Sequence, residues 1–442
     1  MNNQTGKNYD LVVVGAGILG TTLAYWLSLL YEGRIALVEK EIEVARHATL
    51  RNTGVIHRPF YLDPEKKKLF AISAQLSYGM WKKYAELKNL PWNEVGTIEV
   101  AESPDEQARV EKYYQYSLAN GMKPAEVELL ESSALRRVEP NLYCKKALFC
   151  KTDTAVDFSR FAGALKEEAL AQGVDFVPGF EVCKIEQSAE GINLVNSKGE
   201  QVFAKIMVNC TGGSAVKLAH FLGVALDYAD LNFRGEYWLM KPEYRHWATH
   251  NIYSMPRYPE FPFLDPHWVV SWDGTVKIGP TAVPVIGPYT YEGLAPNFAS
   301  IFTKLLEAPL ANKLKLLTNP IFLGMAAKEW QGVISASFLI RRLQKFLPVL
   351  RADHLSEKWL SGVRSPVIDR EGNFVKEALE FETENSYHIL NFNSPGATGA
   401  PAFCAYLVKK LEKAGKLENL KKKAKLLSSC WDFEAIIGEF GL

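Results

Sequence analysis

Near the start of the chain, Gly15-Ala16-Gly17-Ile18-Leu19-Gly20 has the spacing G-x-G-x-x-G and follows directly on the apolar run Leu11-Val12-Val13-Val14. That combination binds a dinucleotide. Gly15 permits a tight strand-to-helix turn, Gly17 lets the backbone approach a pyrophosphate, and Gly20 lets the next helix pack close to the sheet. The helix N-terminus then faces the anion. Nineteen residues past Gly20, Glu39 ends a second apolar run, Ile35-Ala36-Leu37-Val38, where a carboxylate accepts hydrogen bonds from ribose hydroxyls. Proton transfer suits histidine, whose unperturbed pKa of about 6.5 lets it accept a proton near neutrality. The candidates are His267, at the start of an expected strand, and His57, at the end of a polar, basic loop that begins at Arg46. For both, a structural or packing role is the alternative. Arginine's planar fork grips carboxylates at two points, which singles out Arg364 behind Gly362-Val363, with Arg234 and Arg58 as alternatives. The competing reading for Arg364 is a salt bridge at a domain interface. No H-E-x-x-H or comparable ligand spacing occurs, so no metal is expected.

The elements that must position these groups follow from periodicity. Thr21 to Leu30 is expected as the helix of a βαβ unit that ends at Glu39. The stretch Leu11 to Leu30 is apolar enough to imitate a membrane span, but spaced glycines, the acidic Asp10 and the lack of a basic leader argue against export. Helices are expected over Leu69 to Leu87, Pro104 to Asn120, Val127 to Val138 and Phe158 to Gln172, with strands at Trp92 to Ala101, Val174 to Phe176 and Phe180 to Ile185. Ala204 to Cys210 reads as a buried strand running into Thr211-Gly212-Gly213-Ser214, a glycine turn that opens a helix and brings backbone close to a cofactor. Alternation and many aromatics from Leu231 to Val285 predict an antiparallel sheet, hence a second domain inserted in the first. Helical patterns follow at 299–317 and 337–347, then short strands at 360–368 and 387–392. Asn393-Ser394-Pro395-Gly396-Ala397-Thr398-Gly399 opens a last helix over Pro401 to Leu411.

With 51 basic and 50 acidic residues in 442, the chain has no global field to draw it to nucleic acid. Six cysteines without C-x-x-C spacing read as reduced thiols of a cytoplasmic protein. Beyond Lys409, lysines alternate with Leu417, Leu420, Trp431, Phe433 and Ile436. This is either a basic amphipathic segment suited to peripheral contact with an anionic membrane or a tail that packs back on the body.

The strand and G-x-G-x-x-G start, RNTGVIH at Arg51 to His57, CTGGS, FRGEYW at Phe233 to Trp238, and FPFLDPHW with DGTVKIGPTAV at Phe261 to Val283 occur in one order, followed by SGVR at Ser361 to Arg364 and NSPGATGAP at Asn393 to Pro401. In that order they resemble the FAD-dependent D-amino-acid-oxidase-like superfamily, and within it the L-2-hydroxyglutarate dehydrogenase/oxidase family. The resemblance implies an α/β fold, an FAD-binding Rossmann-like domain of the glutathione-reductase type with an inserted substrate domain of antiparallel β-sheet plus helices. The FAD domain would take 1–90, 150–228 and 356–412, the substrate domain 91–149 and 229–355, and 413–442 would be an extension.

It further implies that FAD is held by Gly15, Gly17, Ile18, Gly20, Glu39, Lys40, Thr49, Arg51, Asn52, Gly54, Val182, Thr211, Gly212, Gly396, Ala397 and Thr398, the last three placing backbone N–H groups at the ring's carbonyl edge. His267 or His57 would take the hydroxyl proton of an L-2-hydroxy acid, most simply L-2-hydroxyglutarate. Arg364, Arg234, Arg58 and Tyr61 would bind that acid. The electron acceptor would be oxygen, a quinone or an electron-transfer protein, since no second nucleotide fingerprint is present. Alternatives within the same resemblance are an amine or amino-acid oxidase and a non-catalytic flavoprotein redox subunit. The chain departs from the family at Arg58-Pro59-Phe60-Tyr61, where small residues are usual after GVIH, and at Thr281, where asparagine is usual.

Overall fold

The computed structural model describes residues 7–257, 261, 265–293, 309–310, 313, 315, 318–320, 322–324, 336–424 and 429–442. Two eight-stranded sheets dominate them. In the first, Lys7–Val14 lies parallel between Gln201–Asn209 and Ile35–Val38. Its LVVV run is buried, as a parallel strand covered on both faces requires. Asp175–Val177 extends the sheet beyond Ile35–Val38. Ser386–Leu390 pairs in parallel with the far end of Gln201–Asn209, so the C-terminal third of the chain returns to the first sheet.

The helix Ile18–Leu30 begins three residues before the expected Thr21, and all its residues are buried, packed on the helices Phe158–Ala171 and Gly396–Lys413. That enclosure explains its membrane-like composition. Among the described residues no helix is long and apolar enough to cross a bilayer.

The second sheet runs Leu355–Lys358, Trp238–Met240, Val276–Gly279, His267–Val270, Asn251–Ser254, Thr97–Ala101, Lys146–Cys150, Val127–Glu131. The alternation after Leu231 does form antiparallel pairs, but Asn251–Ser254 joins Thr97–Ala101 in parallel, which knits a distant early segment into the sheet. A small third sheet places Asn232–Gly235 between Val283–Val285 and Gly362–Arg364, with Phe233 opposite Arg364. This register carries Arg364 from the C-terminal part of the chain to the rim of the second sheet.

Two expectations need correction. Val127 to Val138 is not one helix. Val127–Glu131 is a strand, because its VELLE alternation suits pairing with Lys146–Cys150, and only Ser132–Val138 is helical. The last helix starts at Gly396, not Pro401, and runs to Lys413 with Pro401 in its second turn. The helix expected over 299–317 lies largely outside the described residues.

The C-terminal tail is packed, not free. Leu417, Leu420, Trp431, Phe433, Ile436 and Ile437 belong to the main core with the helix Ile18–Leu30. Lys421–Lys422 pairs with Tyr31–Glu32, and Lys423 Nζ donates to the Ser28 carbonyl at 2.6 Å. The apolar face that a membrane would need is therefore occupied. Trp431 sits among Tyr25, Trp26, Trp81 and Tyr84 and donates Nε1–H to the Met80 carbonyl at 2.8 Å. Trp431→Ala should accordingly cost about 3–5 kcal/mol in urea unfolding, the range for truncating a buried aromatic; a loss below 1 kcal/mol would contradict the packing.

Candidate active site

One continuous cavity of about 340 Å³ opens at the carboxyl ends of Lys7–Val14, Ile35–Val38 and Gln201–Asn209 and extends to Tyr237, Thr281 and Arg364. Open α/β sheets bind ligands at such strand ends. Gly15 and Gly17 stand at its floor. Gly15 has φ +101°, and a Cβ there would lie 2.6 Å from the Cys210 carbonyl oxygen, so only glycine brings the two strand-end turns this close. The helix beginning at Ile18 has no acid in its first turn, and Ile18 N–H donates to Thr49 Oγ1 at 3.0 Å. Its positive end faces the cavity, as a pyrophosphate requires.

Glu39 is fixed at this end by two backbone donors, Ala16 N–H at 2.6 Å to Oε2 and Glu41 N–H at 3.0 Å to Oε1. Burial nonetheless holds its carboxyl above the usual range. Lys40, Arg51 and Val182 join it on the wall. Thr211 and Gly212 line the opposite side, held by Asn209, whose Oδ1 accepts from Thr211 Oγ1 at 2.7 Å. Asn209 Nδ2 in turn donates to His388 Nδ1 at 3.1 Å, and His388 Nε2 lies 2.8 Å from Ser386 Oγ.

A second helix N-terminus, Gly396-Ala397-Thr398, lines the same cavity with no acid in its first turn. It is tied to the basic loop because Thr398 Oγ1 accepts His57 N–H at 3.1 Å. His57 is on the wall, and its Nδ1 lies 2.8 Å from Asp153 Oδ2. Asp153, which sequence reasoning missed, is fully buried. It also accepts Arg58 N–H at 2.7 Å, Thr97 Oγ1–H at 2.7 Å and the Cys150 thiol at 3.3 Å. As a carboxylate it accepts a hydrogen bond from His57 Nδ1–H and so fixes the tautomer that leaves Nε2 bare. Arg364 shares the cavity wall. Tyr61 lies outside the lining; its hydroxyl bonds Ser394, and burial pushes its pKa up.

The other expected residues act from behind the wall. Arg58 is buried, with Nη1 and Nη2 on Glu126 at 2.7 and 3.3 Å, Nη1 on Thr152 Oγ1 at 3.0 Å and Nη2 on Gln75 Oε1 at 2.9 Å. It pairs with Glu126 and does not line the cavity. Arg234 is likewise engaged, with Nη2 3.0 Å from Glu236 Oε1 and Nη1 on the Gly293 carbonyl. His267 is buried behind Tyr237 and Tyr253, its ring stacked on Tyr253 at 4.0 Å. Its Nδ1 lies 3.0 Å from the Asp265 carbonyl, Nε2 has no partner, and burial with Arg364 and His57 nearby lowers its pKa to about 3. Asn52 reaches the wall, but its side chain closes the loop, donating to Thr49 O and accepting from Gly54 N–H. Gly20 and Gly54 are not on the wall; Cβ atoms there would strike Gly15 O at 1.8 Å and Val156 O at 2.7 Å, so both allow close backbone packing beneath the site. Of the family departures, Thr281 borders the cavity and Arg58 does not.

A long cavity lined by two helix N-termini, an acid at the end of the second strand and glycine turns fits a flavin dinucleotide. The sequence pattern of the FAD dependent oxidoreductase family (DAO) matches residues 10–410. The chain belongs to that family. FAD is its cofactor, and it is an FAD-dependent oxidoreductase. L-2-hydroxyglutarate dehydrogenase of Salmonella houtenae is 31% identical over 406 residues, covering 91% of this chain and 93% of the relative. The mitochondrial L-2-hydroxyglutarate dehydrogenase of Homo sapiens is 28% identical over 428 residues, covering 92% and 89%. In fold, the chain is similar to FAD-bound L-alpha-glycerophosphate oxidase from Mycoplasma pneumoniae (TM-score 0.71, 20% identity, 96% of this chain and 100% of that one). It is also similar to glycine oxidase from Geobacillus kaustophilus (TM-score 0.68, 16% identity, 96% and 100%).

The Asn209–His388 bond makes the Thr211 turn sensitive to acid. Burial lowers the pKa of His388 to about 4, against about 6.5 in an unfolded chain. Between those values the unfolded chain binds the extra proton, so the contribution is complete above pH 6.5 and is lost as pH falls toward 4. The protein should lose about 2 kcal/mol on this account between pH 7 and pH 5, and His388→Gln should show a correspondingly smaller loss in urea unfolding at the two pH values. Equal losses would remove His388 from the account.

Proposed function

We propose that this enzyme oxidises an L-2-hydroxy acid, L-2-hydroxyglutarate foremost, to the 2-oxo acid. The observation that supports this most is His57 on the cavity wall, held through Nδ1 by a buried carboxylate, with Arg364 on the same wall. Bound FAD supplies the acceptor for the hydride leaving C2. Arg364 grips the C1 carboxylate at two points, which fixes C2 and its hydroxyl beside the imidazole. His57 Nε2 takes the hydroxyl proton, and Asp153 stabilises the imidazolium that results. The Gly396–Thr398 helix N-terminus stabilises negative charge that develops at its end of the cavity.

His267 is a poor base in this position, since a pKa of about 3 leaves little driving force for accepting a proton. The proton acceptor is therefore His57, and His267 supports Tyr237 and Tyr253 from behind. The relatives named L-2-hydroxyglutarate dehydrogenase favour the five-carbon diacid, and Thr281, in place of the usual asparagine, is where this chain's preference would differ. Six free cysteines fit a reducing compartment, in keeping with a cytoplasmic enzyme.

Anaerobic flavin reduction against a panel of 2-hydroxy and 2-amino acids tests the reading: L-2-hydroxyglutarate should bleach the flavin fastest, and a faster amino acid would overturn it. His57→Gln should slow reduction by about 10²-fold or more while flavin content stays normal, and His267→Gln should cost less. The reverse order would return the role to His267. Arg364→Lys keeps the charge but loses the fork, so kcat/KM should fall by about 2 kcal/mol or more. Unchanged kcat/KM would place the carboxylate elsewhere.

A further inference from the structure

The nucleoside end of the cavity is crossed by a short segment that comes from the other half of the chain. Pro288 and Tyr289 line the cavity beside Glu39, Lys40 and Thr211-Gly212-Gly213-Ser214. Pro288 lies directly on the glycine turn, where a Cβ on Gly213 would come within 2.6 Å of Pro288 Cβ. Tyr289 Oη hydrogen-bonds Ser214 Oγ at 2.8 Å, Lys40 Nζ sits 3.1 Å over its ring, and the His47 ring packs at 4.4 Å. Tyr291 Oη bonds His47 Nδ1 at 2.7 Å, and the Arg51 guanidinium lies 3.8 Å over the Tyr291 ring. Two aromatic rings are thus clamped by three cations or imidazoles of the first 51 residues and by a serine of the second glycine turn.

Both ends of this segment are fixed. Val283–Val285 pairs with Asn232–Gly235 on one side, and on the other the Gly293 carbonyl is held by Arg234. Arg234 therefore serves as an anchor of the segment. Between the anchors, Thr290 N–H closes a turn on Gly287 O at 3.2 Å, and Thr290 is buried with its hydroxyl unpartnered.

We propose that Pro288–Tyr291 is an aromatic strap that closes over the adenosine half of FAD and must detach before the cofactor can enter or leave. Its contacts to Lys40, His47, Arg51 and Ser214 join the basic loop to the glycine turn across the cavity, so an intact strap bars the side by which an extended dinucleotide passes. The contacts that hold it are cation–π pairs and two hydrogen bonds, individually weak and collectively able to slow opening by orders of magnitude. A strap differs from a simple ligand contact in kinetics. Loosening a contact raises release alone, whereas loosening a gate raises release and uptake together, leaving the equilibrium less changed than either rate.

The test uses the holoenzyme and its apoprotein. FAD release is followed by recovery of flavin fluorescence on dilution, and uptake by its quenching. Tyr289→Ala should release FAD at least tenfold faster and take it up faster as well, with the dissociation constant changed less than either rate. Tyr291→Phe, which removes only the bond to His47, should shift both rates the same way by about threefold, and it carries the test if Tyr289→Ala does not fold. Release within twofold of the wild type in both variants, or faster release with uptake unchanged or slowed, would overturn the strap.

Discussion

A buried carboxylate at the joint between the two sheets governs this molecule. Asp153 is fully enclosed, and an ionised carboxylate there is tolerable only with its oxygens saturated by donors. The backbone of Arg58, the hydroxyl of Thr97, the thiol of Cys150 and the imidazole of His57 supply them. The donors come from two separate parts of the structure. Thr97 and Cys150 belong to paired strands of the second sheet, and His57 and Arg58 end the basic loop of the first half. Satisfying one charge thereby sets how the loop meets the sheet and which nitrogen of His57 is bare.

The cofactor cleft follows a different logic, in which partial charges of the backbone do what side-chain charges do elsewhere. Two helices present N-termini without acids in their first turns, and glycine turns let strand ends approach one another. Glu39, Lys40, Arg51 and Arg364 also stand on its wall, while two further arginines are paired with carboxylates behind it. Arg234 with Glu236 is a buried pair, costly to break because either partner alone would be an uncompensated charge, and Arg58 pairs with the half-buried Glu126. Arg364 stands on the cavity wall.

What the sequence reveals depends on how local the cause is. Gly15 to Glu39 was legible because the turn, the helix and the acid are bound by spacing within one βαβ unit, and the helix at Gly396 by its glycine turn. That Arg58 and Arg234, the alternatives to Arg364, pair with carboxylates off the cavity wall is not legible, because a free arginine and a paired one look alike in sequence, and Glu126 lies 68 residues from Arg58. Asp153 went unseen for the same reason, being 96 residues from His57 with no spacing to connect them. Val127 to Val138 reads as one helix in sequence because VELLE carries helical and alternating patterns at once, and only the partner strand decides between them. The tail's apolar positions were visible, but whether they meet a membrane or Tyr25, Trp26 and Trp81 is decided by tertiary contact.

In the proposed reaction His57, held by Asp153, takes the substrate's proton. The most direct measurement is the rate of flavin reduction by L-2-hydroxyglutarate under anaerobic conditions, followed across pH in the wild type and in Asp153→Asn. Removing the negative charge beside Nδ1 disfavours the imidazolium, so the variant should reduce flavin at least tenfold more slowly and lose rate in acid at a lower pH than the wild type, with FAD still bound. A variant with wild-type rate and an unmoved acid limb would contradict the account.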